Sequence, residues 1–155
     1  MHAKQLLVVA HAPSANTRKL VDAVLRGASH DDIENVKTRW LPPLEAGPDD
    51  LRQADGIILG TTENLGYMSG ALKDFFDRSY YPVLEEKQGL PCAVYIRAGH
   101  DGTGTRRALE SILTGLRWKL VQDMLTCRGE WQDQFEADCE ALGLYMAAGL
   151  DNGIF

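Results

Sequence analysis

The sequence predicts an α/β fold in which one parallel sheet carries helices on both faces. Three observations lead there. Short apolar runs of strand length alternate along the chain with stretches of helical periodicity. The run at residues 56–60 (GIILG) is continuously apolar, and those at 5–10 (QLLVVA) and 91–98 (PCAVYIRA) are predominantly so rather than alternating, as strands covered on both faces require. Finally, 155 residues suit one domain, 1–155, built around one core.

Each element can be justified in order. Residues 5–10 form the first strand, after which Leu20, Val21, Val24, Leu25 and Ala28 recur at helical spacing until Gly27 and a Ser-His-Asp-Asp stretch close the helix. Residues 34–40 (ENVKTRW) alternate, with Val36, Thr38 and Trp40 on one side, which suits a strand with one wet face or edge. Pro42, Pro43 and Pro48 keep the next stretch irregular, up to a short helix at 49–54 capped by Pro48 and Asp49. Residues 56–60 read as a central strand. Beyond the loop TTENLGYM, Ser69 is placed to cap a helix whose Leu72, Phe75, Phe76 and Ser79 share one face, and Pro82 is expected to stop it. Residues 91–98 are the next strand, and the turn GHDGTG leads into a helix with Ala108, Leu109, Ile112, Leu113 and Leu116 in register. Residues 119–126 (KLVQDMLT) form a last, weaker strand, and 133–149 a final helix with Phe135, Cys139, Leu142 and Met146 facing inward.

Composition narrows the function. A net charge of −6 and a pI near 5.1 argue against nucleic acid as the main partner, since phosphate binding wants a basic face. The acidic surface serves solubility or steers a basic redox partner. The three cysteines, Cys92, Cys127 and Cys139, include no CxxC pair, so neither a disulfide framework nor a zinc site is indicated. Cys92 and Cys139 fall at core positions; Cys127 lies near a strand end where exposure is possible. The N-terminal apolar run is too short for a signal peptide or a membrane span, and the expected location is the cytoplasm.

In an open parallel sheet, ligands bind beyond the carboxyl ends of the strands at the point where strand order reverses. Three loops leave such ends. The first, HAPSANTRKL, sets His11, Ser14, Asn16 and Thr17 around the first turn of a helix, where free amides and hydroxyls make a phosphate cradle that needs no lysine; ordinary helix capping by Ser14 or Asn16 is the alternative. The second contains Thr62, Glu63, Asn64, Leu65, Gly66, Tyr67 and Met68. Gly66 allows close backbone approach, and Leu65, Tyr67 and Met68 offer apolar surface for a flat ring, or the segment is a glycine turn whose Tyr67 folds back onto the core. The third, RAGHDGTG, brings Ala98, Gly99, His100 and Gly102, either beside a ligand or as a flexible surface turn. No GK[ST] phosphate loop, acidic pair after the first strand or cysteine in the first loop is present, which removes P-loop, receiver-domain and cysteine-phosphatase readings.

These residues resemble the flavodoxins and the flavodoxin-like NAD(P)H-dependent FMN and quinone reductases over nearly the whole length. GYMSGALKDFFDR is the most specific match: a loop, small residues, then a lysine-bearing helix ending near Asp-Arg. In the first loop the family pattern T/S-x-T-G-x-T falls on residues 12–17, where Ser14 and Thr17 match while Ala12 and Ala15 depart. The resemblance implies a flavodoxin-like three-layer sandwich with a five-stranded parallel sheet in the order 2-1-3-4-5. It implies FMN as cofactor, its phosphate on Ser14, Asn16 and Thr17, its ring between residues 62–68 on one side and 97–102 on the other. NAD(P)H is the implied electron donor and a small molecule or a protein the implied acceptor. A second copy of the chain is a further implied partner. The flavin would carry the chemistry, with no protein nucleophile or base. Three functions follow: an NAD(P)H-dependent oxidoreductase, an electron carrier, or a binding domain without flavin.

Overall fold

The computed structural model describes residues 2–155. The elements run β1 (Lys4–Ala10), α1 (Ala15–Ala28), β2 (Val36–Leu41), a 3₁₀ turn (Pro43–Glu45), α2 (Pro48–Gln53), β3 (Gly56–Asn64), β4 (Tyr67–Met68), α3 (Gly70–Val83), β5 (Pro91–Ala98), α4 (Thr103–Leu116), β6 (Lys119–Leu120), β7 (Leu125–Arg128) and α5 (Gln134–Asp151). The parallel strands stand in the order β2-β1-β3-β5-β6, with β7 also parallel to β5 and the short β4 antiparallel to β3. Counted as parallel strands, β5 is the fourth and β6 with β7 the fifth, so the expected 2-1-3-4-5 order holds.

Alternation along β1 builds both cores. Leu7 and Val9 join Leu51, Leu72, Phe75, Phe76 and Leu109 on the face covered by α2, α3 and α4. Leu6, Val8 and Ala10 join Leu20, Val24, Cys139, Leu142 and Met146 on the face covered by α1 and α5. Each large aliphatic side chain buried in this way contributes roughly 1.5–3 kcal/mol. The helices α1 and α5 touch backbone to backbone: a Cβ on Gly27 would lie 1.9 Å from the Glu140 carbonyl oxygen, and one on Gly143 would lie 2.1 Å from that of Val24.

Four expectations need correction. The strand expected to end at Gly60 continues to Asn64, because Thr61 and Thr62 pair with Ile96 and Arg97 while Glu63 and Asn64 pair with Met68 and Tyr67. Pro82 lies inside the last turn of α3, which runs one residue further to Val83; the missing amide matters least at a helix end. The fifth strand is broken into β6 and β7, since an edge strand has no outer neighbour to enforce continuity across Gln122 and Asp123. Cys127 is buried in the same core cluster as Cys139 of α5. Among the described residues no helix is long and apolar enough to cross a membrane.

Candidate functional site

The chain leaves β1 toward β2 on one side and reaches β3 on the other, so strand order reverses at β1. The loops after β1, β3 and β5 therefore meet at the topological switch point.

The first loop is anchored at its root by the His11 amide, which donates to the Gly60 carbonyl at 3.0 Å. Ser14 is the N-cap of α1: its Oγ accepts from the Thr17 amide at 3.1 Å, and Thr17 Oγ1 accepts from the Ser14 amide at 2.9 Å. This is a reciprocal capping box with threonine in the place usually held by Glu or Gln. Helix capping and an anion cradle are thus not exclusive here. The box occupies two amides, and no acceptor among the described residues takes those of Ala15 and Asn16, which lie exposed in the same turn. No acidic side chain stands in that first turn to oppose an anion. Burial pushes the His11 imidazole below its ordinary range, favouring the neutral ring.

The second loop is a hairpin. With Asn64 paired to Tyr67, Leu65 and Gly66 form a two-residue turn with φ of +53° and +76°. Both central residues lie at positive φ, as a type I′ turn requires. Gly66 suits this position; a leucine there costs roughly 1–2 kcal/mol. Leu65 is fully exposed and Tyr67 is 40% exposed. Met68 points the other way, into the core with Leu72 and Ile96, and is 2% exposed.

Glu63 ties this hairpin to the third loop. Its carboxylate accepts from the His100 amide at 2.9 Å and from the Gly102 amide at 2.8 Å. A second contact locks the same pair of loops, since a Cβ on Gly104 would fall 2.1 Å from the Gly66 carbonyl oxygen. Asp101 caps the start of α4 through the Thr103 amide at 3.0 Å, a bond that holds its carboxyl below the usual range. Thr62 Oγ1 donates to Asn64 Oδ1 at 2.9 Å, which turns both side chains toward each other. Ala98 is a core residue whose carbonyl accepts from Gly129. Around Gly66 and Gly99 a Cβ would meet nothing within 4 Å, so both backbones border open space.

The structure thus gathers His11, Ser14, Asn16 and Thr17 on one side of the switch point. It gathers Thr62, Glu63, Asn64, Leu65, Gly66, Tyr67, Gly99, His100 and Gly102 on the other. Met68 and Ala98 offer only backbone to this edge. Three further residues belong to the frame, of which the sequence pointed only to Arg18, as a substitute for the hydroxyl and glycine missing from the first loop. Trp40 donates from Nε1 to the Ala10 carbonyl at 3.0 Å, and Arg18 lies over its ring at 4.6 Å. Tyr95 crosses Gly60, where a Cβ would sit 2.3 Å from its Cζ. The place of Trp40 at the carboxyl end of an alternating strand was a usable signal; nothing local marked Tyr95. A hollow of about 540 Å³ between α1 and α5, lined by Arg26, His30 and Glu140, lies at the far end of α1 and shares no residue with these loops.

A sheet of this order with three loops at its switch point defines a flavodoxin-like α/β protein. The family model for NADPH-dependent FMN reductase matches residues 4–132, and the chain belongs to that family. It is similar to a flavodoxin of Aquifex aeolicus, 31% identical over 112 residues that make 72% of this chain and 60% of that one. It is also similar to the quinone-oxidoreductase QR2 of Triphysaria versicolor, 24% identical over 135 residues, with 74% of this chain and 65% of that one covered. The chain therefore spans less than two thirds of the length of either relative. Among solved structures, a flavodoxin from the domain Archaea superimposes with a TM-score of 0.79 at 20% identity, covering 94% of this chain and 98% of that one.

Proposed function

We propose that this protein binds FMN at the switch point and passes reducing equivalents from NAD(P)H to a small acceptor of the quinone or flavin class. The observation that carries this reading is the pair of unengaged amides of Ala15 and Asn16 in an exposed, acid-free first turn, at the sheet edge where the two tied loops after β3 and β5 also emerge. That donor set fits a phosphate. The open backbones at Gly66 and Gly99 fit the edge of a planar ring.

When bound, FMN supplies two-electron chemistry that no side chain here offers. The chain's part is binding and orientation. The α1 amides and the Ser14 hydroxyl would hold the phosphate, with the buried Thr17, whose hydroxyl is engaged with Ser14, fixing the turn that presents them. Glu63 keeps the 100–102 backbone at a fixed distance from the hairpin, so the ring slot is formed before ligand arrives. Neutral His11 beside the cradle adds a hydrogen-bonding group without adding charge. Overall, NAD(P)H gives a hydride, solvent gives a proton, and a quinone leaves as the hydroquinone.

The test is optical. The purified protein takes up FMN, shows a flavin spectrum, and bleaches anaerobically with NAD(P)H alone. Ser14→Ala and Thr17→Ala each weaken FMN by about tenfold, the scale of one hydrogen bond to a charged group. Unchanged affinity in both variants defeats the cradle. The similarity to the Aquifex flavodoxin favours a second reading, an electron carrier; a flavin that bleaches only when a separate reductase is added selects it.

A further inference from the structure

Arg97 stands near the carboxyl end of β5, on the face where Ala93 and Tyr95 meet α1 and α5. Its side chain is half-buried, yet it has no carboxylate partner among the described residues. A charge taken partly out of water is ordinarily paired. Partners are not scarce, since acidic residues outnumber Lys and Arg by 22 to 16. The head group is pinned all the same. Nη1 donates to the Ala98 carbonyl at 3.0 Å and to the Cys127 carbonyl at 3.0 Å. The rings of Phe135 and Trp131 lie 5.0 and 6.0 Å from Cζ. Nε and Nη2, the edge that grips an oxyanion with two parallel bonds, meet no acceptor among the described residues, and both retain solvent contact. A second cation shares the same ring. Lys19 of α1 is exposed, places Nζ 5.6 Å from the Trp131 centroid, and also lacks a carboxylate partner. Glu130 and Asp133, the acidic residues nearest Trp131 in sequence, pair with neither cation.

We infer that Arg97 and Lys19, gathered on Trp131, form a binding site for a phosphate dianion, separate from the amides of α1. The pinned guanidinium presents a ready-made fork, so little side-chain freedom is lost on binding. Two unneutralised cations suit a dianion better than a carboxylate, which would leave one charge over. The separation follows from the sheet. The α1 amides follow β1, whereas Arg97 is bonded outward to β7, and β3 stands between β1 and β5. Two strand spacings put the two roots roughly 10 Å apart. These residues hold a phosphate whether or not a flavin occupies the switch point.

The test is titration calorimetry of the purified protein at low salt, with adenosine 2′,5′-bisphosphate and inorganic phosphate as probes. Saturable binding is expected. Arg97→Lys keeps the charge and loses the fork, and should weaken binding about tenfold, the scale of one hydrogen bond to a charged group. Lys19→Gln should weaken it about fivefold, the scale of one charge pair in contact with water. Because Lys19 is exposed, its variant reports even where Arg97→Lys fails to fold. Arg107→Gln removes the same charge from an exposed, unpaired arginine of α4, on the opposite face of the sheet, and should stay within twofold of wild type. Tighter binding of the bisphosphate than of inorganic phosphate assigns the site to a nucleotide, and equal binding assigns it to free phosphate; either result sustains the site. Four outcomes overturn it: no saturable heat with either probe, wild-type affinity in Lys19→Gln, an equal loss in Arg107→Gln, or displacement of the probe by one equivalent of FMN, which would make the two cations part of the α1 cradle. A protein that takes up no FMN defeats the proposed function and leaves these titrations intact.

Discussion

The loop after β1 and the paired loops after β3 and β5 stand side by side at one edge of the sheet, yet they are held by opposite means. In the first, the restraint on residues 14–17 is local: two hydroxyls and two amides close a box within four residues. In the second and third, the restraint is remote. Glu63 reaches amides 37 and 39 positions away, and Gly104 rests on Gly66. The local device leaves amides free for a ligand, whereas the remote one consumes amides to fix a distance. Under the proposed function, the difference suits the first loop to an anion and the other two to the edges of a ring.

This contrast breaks at definite places. The largest effect is expected from Gly104→Ala, because the new Cβ meets a backbone oxygen that cannot swing aside. A loss of about 3 kcal/mol in urea unfolding is expected, together with faster amide exchange in both the hairpin and the third loop. Exchange that stays slow in the hairpin would show that the two loops are not one unit.

Glu63→Ala comes next. It removes two charge-assisted hydrogen bonds and should cost about 2 kcal/mol, with exchange rising at residues 98–104 and not at 14–17. Equal loosening of the first loop would erase the distinction drawn above.

Ser14→Ala is smaller, about 1 kcal/mol for a lost N-cap. Its signature is a drop in FMN affinity with the paired loops unchanged by amide exchange.

The smallest effect is a pH dependence. Burial lowers the His11 pKa in the folded chain, so between pH 7 and the mildly acidic range the unfolded chain binds the proton first. The stability this group contributes is complete above its ordinary value near 6.5 and is lost as pH falls through the lower folded value. Wild-type urea midpoints should therefore fall more steeply below about pH 6.5 than those of His11→Gln. Parallel curves would mean that the ring titrates as freely in the fold as outside it.

Much of this was legible in the chain because the signals are short-range. The apolar runs named β1, β3 and β5, the spacing of Leu72, Phe75 and Phe76 named the buried face of α3, and Ser69 announced its cap, which the Leu72 amide confirms at 3.1 Å. Ser14 and Thr17 were readable for the same reason, lying three residues apart on one turn. The hairpin was less so. GYMS reads as loop because Tyr67 and Met68 pair with Asn64 and Glu63 only once β3 has overrun Gly60. Glu63 was placed in the correct loop, but its partners lie on another strand's turn.

By itself the sequence determined the element types, the parallel sheet, its inward faces and the first loop's capping residues, because periodicity and caps are decided within a few residues of each other. Only the tertiary structure decided that Glu63 clamps two loops, that Met68 and Ala98 turn inward while Leu65 turns out, that Tyr95 covers Gly60, and that α1 meets α5 at Gly27 and Gly143. Those facts depend on distances between segments far apart in the chain, and such distances are set by how two cores pack against one sheet.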